Sequence, residues 1–312
     1  MFLPLAIAVL TLHLILAGIA AAGPIVAGVA QWRAIRREDQ AEQRAAQALA
    51  RWCWFSLLAA IGLGFLLWFL YGLQAGTEFE TRGVRLGRLW TDDTVTFWSE
   101  LCFTGVVLGS AIVLLQKRRG LRWLTPVLLL LAGTNLLYHL PLRFSIFNVL
   151  QSRGIELTDG LTRAIKYQLL GESQLWSRLL HHWGAMFVAA GLAWQWIRCR
   201  SKLSSVAESS PTTAPNGALL VLLGVAAQFF TGPWLLFELP AARQNSYLGD
   251  QFAAMVCLGS GIVAALLALI PTFGLAFDTT AMFQVQQRRR WLATILLVTS
   301  WVGMIAGQLV QR

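Results

Sequence analysis

Apolar runs of membrane-crossing length recur along the whole chain, and they constrain its fold more than any other feature. A helix needs about 20 predominantly apolar residues to cross the hydrocarbon core of a bilayer. We predict eight such spans, which cover roughly residues 3–31, 54–74, 97–116, 122–140, 177–198, 217–238, 252–273 and 291–311. Hydrophobic residues make up 56% of the chain and charged residues 13%. The sequence therefore predicts an all-α integral membrane protein.

The basic residues predict the orientation of these spans. Short cytoplasmic loops are enriched in Lys and Arg. If the N-terminus lies outside, fifteen of the 25 Lys and Arg fall in the four inner loops. They are Arg33, Arg36, Arg37, Arg44, Arg51, Lys117, Arg118, Arg119, Arg122, Arg198, Arg200, Lys202, Arg288, Arg289 and Arg290. We therefore expect both termini outside, and we attribute the net charge of +10 to topology rather than to a nucleic-acid partner.

The spans divide into two groups of four. We predict a first four-helix group over residues 1–140, an outer connecting segment over 141–176 and a second four-helix group over 177–312. The inner loop 201–216 is rich in Ser, Thr and Pro and is predicted to be disordered. No basic residue precedes the first apolar run, which is also long for a signal peptide, so we expect a retained first span.

All four histidines are predicted to lie toward the outer side of the membrane. His13 is about ten residues into the first span, His139 is at the outer end of the fourth, and His181 and His182 open the fifth. Two acids and a thioether fall in outer portions of other spans: Glu100, Glu238 and Met255. Ionisable residues inside membranes are costly and usually functional. This set favours a cofactor site over four separate structural histidines.

The available ligands favour haem over zinc. Haem iron accepts His or Met, and copper could use the same pair. The spans contain no Asp and no H-E-x-x-H, and the chain has neither C-x-x-C nor C-x-x-C-H, so catalytic zinc and covalently attached haem are not indicated. Arg143 and Arg178 flank the outer ends of the fourth and fifth spans and could neutralise haem propionates or anchor those helices. Asn135, one turn before His139, could hold that ring in a purely structural role.

This layout resembles the large haem-binding subunit of the cytochrome bd quinol oxidases. The shared features are an N-terminus outside, a first-span His, a third-span Glu, a fifth-span His and a seventh-span Met. The resemblance implies that His13 binds an active-site haem and that His182, or His181, binds a low-spin haem b together with Met255. It also implies that Glu100 is the acid of the active-site region.

The sequence departs from that family at two places. The long quinol-binding loop is reduced to AARQNSYLGDQ (241–251), with no G-R-Q-P-W. The eighth span has no acid, and Met304 and Gln308 are the polar or soft groups toward its outer end. These departures favour a diverged bd-like b-type cytochrome over a working terminal oxidase.

We therefore expect an electron-transfer protein, or a subunit of a respiratory complex, in the inner (cytoplasmic) membrane. One haem b, with a second at His13, would be its cofactor, and quinol, other membrane subunits or periplasmic cytochromes would be its partners. Such a subunit could belong to a quinol-linked oxidoreductase. Glu100 and Glu238 could also serve an unrelated membrane enzyme, although no motif supports it.

The alternative is a cofactor-free membrane subunit or a small-solute permease. Five glycines in the spans suit close helix packing or broken helices at a binding site. They are Gly133, Gly224, Gly232, Gly259 and Gly261. The histidines would then be hydrogen-bonded core or interface residues.

Overall fold

A computed structural model describes residues 3–91, 94–117, 123–152, 163–204, 215–278 and 281–310. These residues are almost entirely helical, and no strand occurs among them. The long helices are α1 (Leu3–Arg37), α2 (Gln40–Thr91), α3 (Thr94–Lys117), α4 (Leu124–Ser152), α6 (Ser173–Ser204), α7 (Pro215–Phe237), α9 (Phe252–Phe277) and α10 (Phe283–Val310). Two short helices, α5 (Arg163–Leu170) and α8 (Ala241–Asn245), lie between them, and a π-helical turn over Ser246–Asp250 follows α8.

Seven of the described helices are long and apolar enough to cross a membrane: α1, α2 as far as Leu70, α3, α4, α7, α9 and α10. This finding confirms an all-α, multi-pass protein in a lipid bilayer. The predicted fifth span corresponds to α6, which is 32 residues long but is not among the seven. Buried polar residues such as Gln174 and Gln195 lower its hydropathy. They are tolerated because α1, α2, α4 and α7 pack around α6, so protein replaces much of the lipid around it.

The boundary between α1 and α2 differs from the prediction. The charged run before the second predicted span is the first part of α2, which begins at Gln40. Oδ1 of Asp39 accepts hydrogen bonds from the backbone N–H groups of Ala41 and Glu42, both at 2.9 Å, and so caps the helix. Alanines and leucine on this part of α2 are buried against the core, which extends the helix pair beyond the apolar run.

The connecting segment is also more helical than predicted. The fourth span was expected to end near residue 140, but α4 continues through Pro141 to Ser152. Residues 163–170 of this segment form the short helix α5. The central part of the predicted disordered loop, 205–214, lies outside the described residues.

Small residues allow the helices to approach closely. Gly184 and Gly191 of α6 face Gly224 and Gly217 of α7, where an added Cβ would lie 2.7–3.1 Å from backbone carbonyl oxygens of the opposite helix. Of the five glycines expected at close contacts, Gly133, Gly224 and Gly261 do lie at such contacts. Gly232 lies beside His181, and Gly259 has no neighbouring atom within 4 Å of an added Cβ.

Candidate functional site

His13 is held against α2 through one ring nitrogen. Its Nδ1 lies 2.8 Å from the carbonyl oxygen of Ala60. A carbonyl can only accept a hydrogen bond, so Nδ1 carries the proton and a neutral ring keeps its lone pair on Nε2. This is the usual arrangement of a metal-binding imidazole, in which a second hydrogen bond fixes the tautomer and the ring orientation. The same bond also satisfies a purely structural histidine.

His181 is held against α7 in a similar way. Its Nδ1 lies 3.4 Å from Oγ1 of Thr231. Thr231 donates its own proton to the carbonyl oxygen of Ala227 at 2.9 Å, so its oxygen is left to accept from His181. The Nε2 of His181 therefore keeps its lone pair. The ring also packs beside Gly232, whose missing side chain makes room for it.

His182 faces a different neighbour. Its ring packs edge-on against Phe144 of α4, with ring centroids 5.2 Å apart. The His181 and His182 rings have centroids 6.5 Å apart, because successive residues on a helix point about 100° apart. Within the described part of the chain no hydrogen bond reaches either ring nitrogen of His182. The two adjacent histidines thus serve two helix interfaces, toward α7 and toward α4.

Arg178 lies one turn before the two histidines on α6. Its side chain is only 8% exposed, and neither Nε nor Nη2 has a hydrogen-bond partner among the described residues. Arg243 of α8 and Tyr247 of the π-helical turn are its electrostatic neighbours, and Arg243 is also a cation. A buried guanidinium without an anionic partner is costly. Among the described residues, no carboxylate pairs with Arg178 beside His181 and His182.

His139 and Glu100 form a separate pair. His139 Nε2 lies 3.6 Å from Oε1 of Glu100, which joins α4 to α3. Asn135 does not hold His139, as the sequence had suggested it could. Its amide nitrogen instead donates to Oγ1 of Thr104 at 3.0 Å and to the Glu100 carbonyl oxygen at 3.4 Å.

The second candidate arginine at this end has an aromatic neighbour. Arg143 of α4 lies over the ring of Phe97 on α3, with its guanidinium carbon 5.8 Å from the ring centroid. This contact anchors α4 to α3. The structure therefore brings His139, Glu100 and Arg143 together at the α3–α4 interface.

Met255 lies apart from His182. It is on α9, which packs mainly against α10 and α7, and its side chain is 37% exposed. His182 faces α4. The structure therefore does not bring together the two residues that the resemblance paired as ligands of one haem.

The contact between α1 and α6 sets the relative level of His13 and His182. An added Cβ at Gly18 would lie 3.2 Å from Cα of Met186. His13 precedes Gly18 by five residues and His182 precedes Met186 by four, so both are about 6–8 Å along their helices from this contact. Leu101 and Leu136, close to Glu100 and His139, belong to the same core cluster as Ala20 and Met186. The four histidines thus lie at one end of the helix bundle.

The donor set suits a cofactor that needs few protein ligands. Within the described ranges no three His, Cys, Asp or Glu side chains converge closely enough to hold a metal ion by themselves. Haem iron is held in its macrocycle and takes only one or two axial ligands from the protein. A single oriented imidazole with a nearby cation meets that requirement.

Sequence reasoning missed the residues that position the histidines. Thr231, Gly64 and the carbonyl of Ala60 have no distinguishing pattern in the sequence. Neither does the contact between Ser173 and Glu238, in which Ser173 Oγ lies 2.6 Å from Oε1 of Glu238. Each depends on how one helix is rotated against another.

No protein-family model matches the chain, and no curated protein or solved structure is significantly similar to it.

Proposed function

We propose that this protein is a bd-like membrane b-type cytochrome that passes electrons as part of a respiratory complex in the inner membrane. It would cross the membrane eight times, with α6 as the fifth span and both termini outside. A haem b would lie near the outer ends of α1, α4, α6 and α7. Quinol and other membrane subunits or periplasmic cytochromes would be its redox partners, as members of a quinol-linked oxidoreductase.

One observation carries this proposal: a buried arginine with no counter-ion among the described residues lies one turn from two adjacent imidazoles. Arg178 Nε and Nη2 need acceptors, and the His181 tautomer keeps a lone pair at Nε2. Haem b has both an iron that accepts imidazole nitrogen and propionates that accept guanidinium hydrogen bonds. One ligand therefore satisfies both groups.

The residues have distinct roles in this proposal. When bound, haem b supplies one-electron redox chemistry. His181 or His182 would hold the haem iron through an imidazole nitrogen, and Thr231 would orient His181 by accepting a hydrogen bond from its Nδ1. Arg178 places a positive charge near the propionates and favours the reduced state. His13, oriented by Ala60, would hold a second haem.

Two further residues that the resemblance singles out are Glu100 and Met255. Glu100, paired with His139, would be the acid of the active-site region that the resemblance implies. Met255 lies on α9, which packs mainly against α10 and α7, so we favour a ligand pair without it.

The alternative is a cofactor-free packing subunit or permease, and a specific observation favours it. His13, His181 and His139 each have a protein partner that a structural histidine would need. The close glycine contacts between α6 and α7 also fit a role in helix packing. In this alternative the Arg178 charge has no anion among the described residues, which is the main weakness of the alternative.

A reduced-minus-oxidised absorption spectrum of detergent-purified protein from haem-supplied cells, with a pyridine haemochrome assay, tests the proposal. We expect one or two haems b per chain. His181→Ala and His182→Ala identify the ligand, because the variant that removes it loses the low-spin signal. The control is Trp183→Phe, which removes a 2.8 Å hydrogen bond from Nε1 to the Leu137 carbonyl but no iron-binding atom.

The proposal fails if the well-folded wild-type protein contains no haem. The ligand assignment fails if both histidine variants keep the wild-type spectrum, or if the Trp183→Phe control loses as much haem as they do. A colourless, folded protein would leave the packing subunit or permease as the better account.

A further inference from the structure

A second polar cluster lies at the end of the bundle opposite the histidines. Gln195, Arg198 and Cys199 of α6 face Gln286 and Arg290 of α10 across a cavity. Leu275 of α9 also lines it. Gln195 is thirteen residues after His182, which places it about 20 Å farther along α6. The cavity is therefore separate from the candidate haem site.

Charged and polar groups in this cavity are deeply buried. The exposed fractions are 6% for Gln195, 9% for Arg198 and 6% for Arg290. Removing a guanidinium from water is costly unless an anion or several acceptors replace the water. Such residues within membrane helices usually mark a pathway or a binding site.

The described lining carries positive charge without a carboxylate. Arg290 donates from Nη1 to Sγ of Cys199 at 2.9 Å and from Nη2 to Oε1 of Gln286 at 3.2 Å. Both acceptors are neutral when Cys199 is a thiol. No Asp or Glu is among the residues that line the cavity. The acid Asp278, near this end of α9, lies 2.8 Å from Nη1 of the neighbouring Arg289.

Gln195 supplies a second, independent observation. Neither its amide nitrogen nor its amide oxygen has a partner within the described structure, although the side chain is almost fully buried. A buried amide without hydrogen bonds costs free energy. Gln195 Nε2 therefore lies beside two guanidinium groups as a hydrogen-bond donor without an acceptor within the described structure.

We infer that this cavity binds a phosphate-type anion. Arg290 and Arg198 provide the charge, and their planar guanidinium groups match phosphate oxygens in geometry. Gln195 adds a neutral donor. The anion is either inorganic phosphate or the headgroup phosphate of an anionic lipid such as phosphatidylglycerol, since both present phosphate oxygens with a net negative charge.

Two measurements distinguish these sources. Inorganic phosphate is titrated into the detergent-purified full chain while its thermal unfolding midpoint is measured. In parallel, the chain is placed in phosphatidylcholine nanodiscs with and without phosphatidylglycerol, and retained lipid is counted by native mass spectrometry. A saturable rise of the thermal unfolding midpoint with phosphate concentration identifies the free anion. Selective retention of phosphatidylglycerol without a phosphate effect identifies the lipid headgroup.

Adjacent arginines offer a matched pair of variants. Arg290→Gln removes the cavity charge and should weaken binding of the detected anion by about tenfold or more. Arg289→Gln removes an arginine that pairs with Asp278 and should leave the affinity within about twofold. Equal loss in both variants would show general surface attraction and overturn the site.

Gln195→Leu keeps the inference testable if Arg290→Gln fails to fold. Its amide has no partner in the anion-free protein, so the anion-free unfolding midpoint should not fall. Affinity for the anion should fall by about threefold or more, as for loss of one hydrogen bond. A wild-type protein that neither gains stability from phosphate nor retains phosphatidylglycerol selectively overturns the inference.

Discussion

Gly64 of α2 packs directly against the imidazole of His13 on α1. A Cβ atom at this position would lie 3.4 Å from Cε1 of the ring. His13 Nδ1 lies 2.8 Å from the carbonyl oxygen of Ala60, one turn earlier on the same helix. The α2 surface therefore supplies both the hydrogen bond that orients His13 and the space that its ring occupies.

This relationship predicts stability gains of different size for two nearby alanine substitutions. Gly62→Ala adds a Cβ with no atom within 4 Å, so it should gain part of the roughly 1 kcal/mol by which alanine favours helix over glycine. Gly64→Ala should gain less, because its new methyl group comes into close van der Waals contact with the His13 ring, at 3.4 Å from Cε1. Thermal unfolding midpoints of the two variants in detergent measure the difference. An equal rise in both would show that the His13 ring adapts freely.

The unpaired charge of Arg178 predicts a substitution whose effect depends on haem. In haem-free protein, Arg178→Met should raise the free energy of unfolding by about 1 kcal/mol or more, because it removes a buried guanidinium without an anion. In haem-loaded protein it should promote haem loss and lower the reduction potential, because a positive charge near the propionates is gone. Thermal unfolding and a redox titration measure these effects.

Arg243→Met is the matched control for Arg178→Met. Arg243 is an exposed neighbour of Arg178, so removing its charge should change stability by no more than about 0.5 kcal/mol. If Arg178→Met instead destabilises the haem-free protein, the guanidinium has a structural partner. That outcome would contradict the proposed role of Arg178 beside the haem propionates.

The glycine contact between α6 and α7 predicts a packing-sensitive position. In Gly224→Ala the new Cβ would lie 2.7 Å from the Gly184 carbonyl oxygen and 2.7 Å from Cγ2 of Val188. The helices must separate, at a cost of about 1–3 kcal/mol. Gly259→Ala on α9 has open space around its new methyl group and should not lower stability. Comparable unfolding midpoints for the two variants would contradict the close approach of α6 and α7.

The sequence predicts helices well because an apolar run in a membrane has few alternatives to helix. It predicts the ends less well. Asp39 caps α2 ahead of the apolar run, and α4 passes through Pro141. Neither end coincides with a change in hydropathy.

The sequence does not predict which side chains meet across helices. Asn135 lies one turn from His139, yet it bonds to Thr104 of α3 because α4 is rotated that way. Met255 and His182 have suitable depths for a shared haem, but α9 packs mainly against α10 and α7, whereas the His182 ring packs against α4. Helix rotation and neighbour choice depend on the whole packed bundle, so local pattern cannot supply them.

Thr231 predicts which of the adjacent histidines binds iron. In Thr231→Val the new side chain has nearly the same shape as threonine but cannot accept a hydrogen bond from His181 Nδ1. The His181 ring therefore loses its orienting hydrogen bond. If His181 holds the iron, haem content should fall or the reduction potential should rise, because the ring loses the hydrogen bond that raises its basicity; such second hydrogen bonds typically contribute about 10- to 100-fold to metal affinity or activity. If His182 is the ligand, its contact with Phe144 is untouched, and the spectrum should stay close to wild type.

Thr134→Val on α4 provides the control for this substitution. Its hydroxyl bonds only to carbonyl oxygens of its own helix, at 2.8 Å to Leu130 and 3.2 Å to Leu131. It therefore reports the general effect of removing a threonine hydroxyl from a span. A spectral change in Thr231→Val but not in Thr134→Val assigns the iron to His181. Equal changes in both would remove Thr231 from the site, because a hydroxyl without contact to a histidine would then have the same effect.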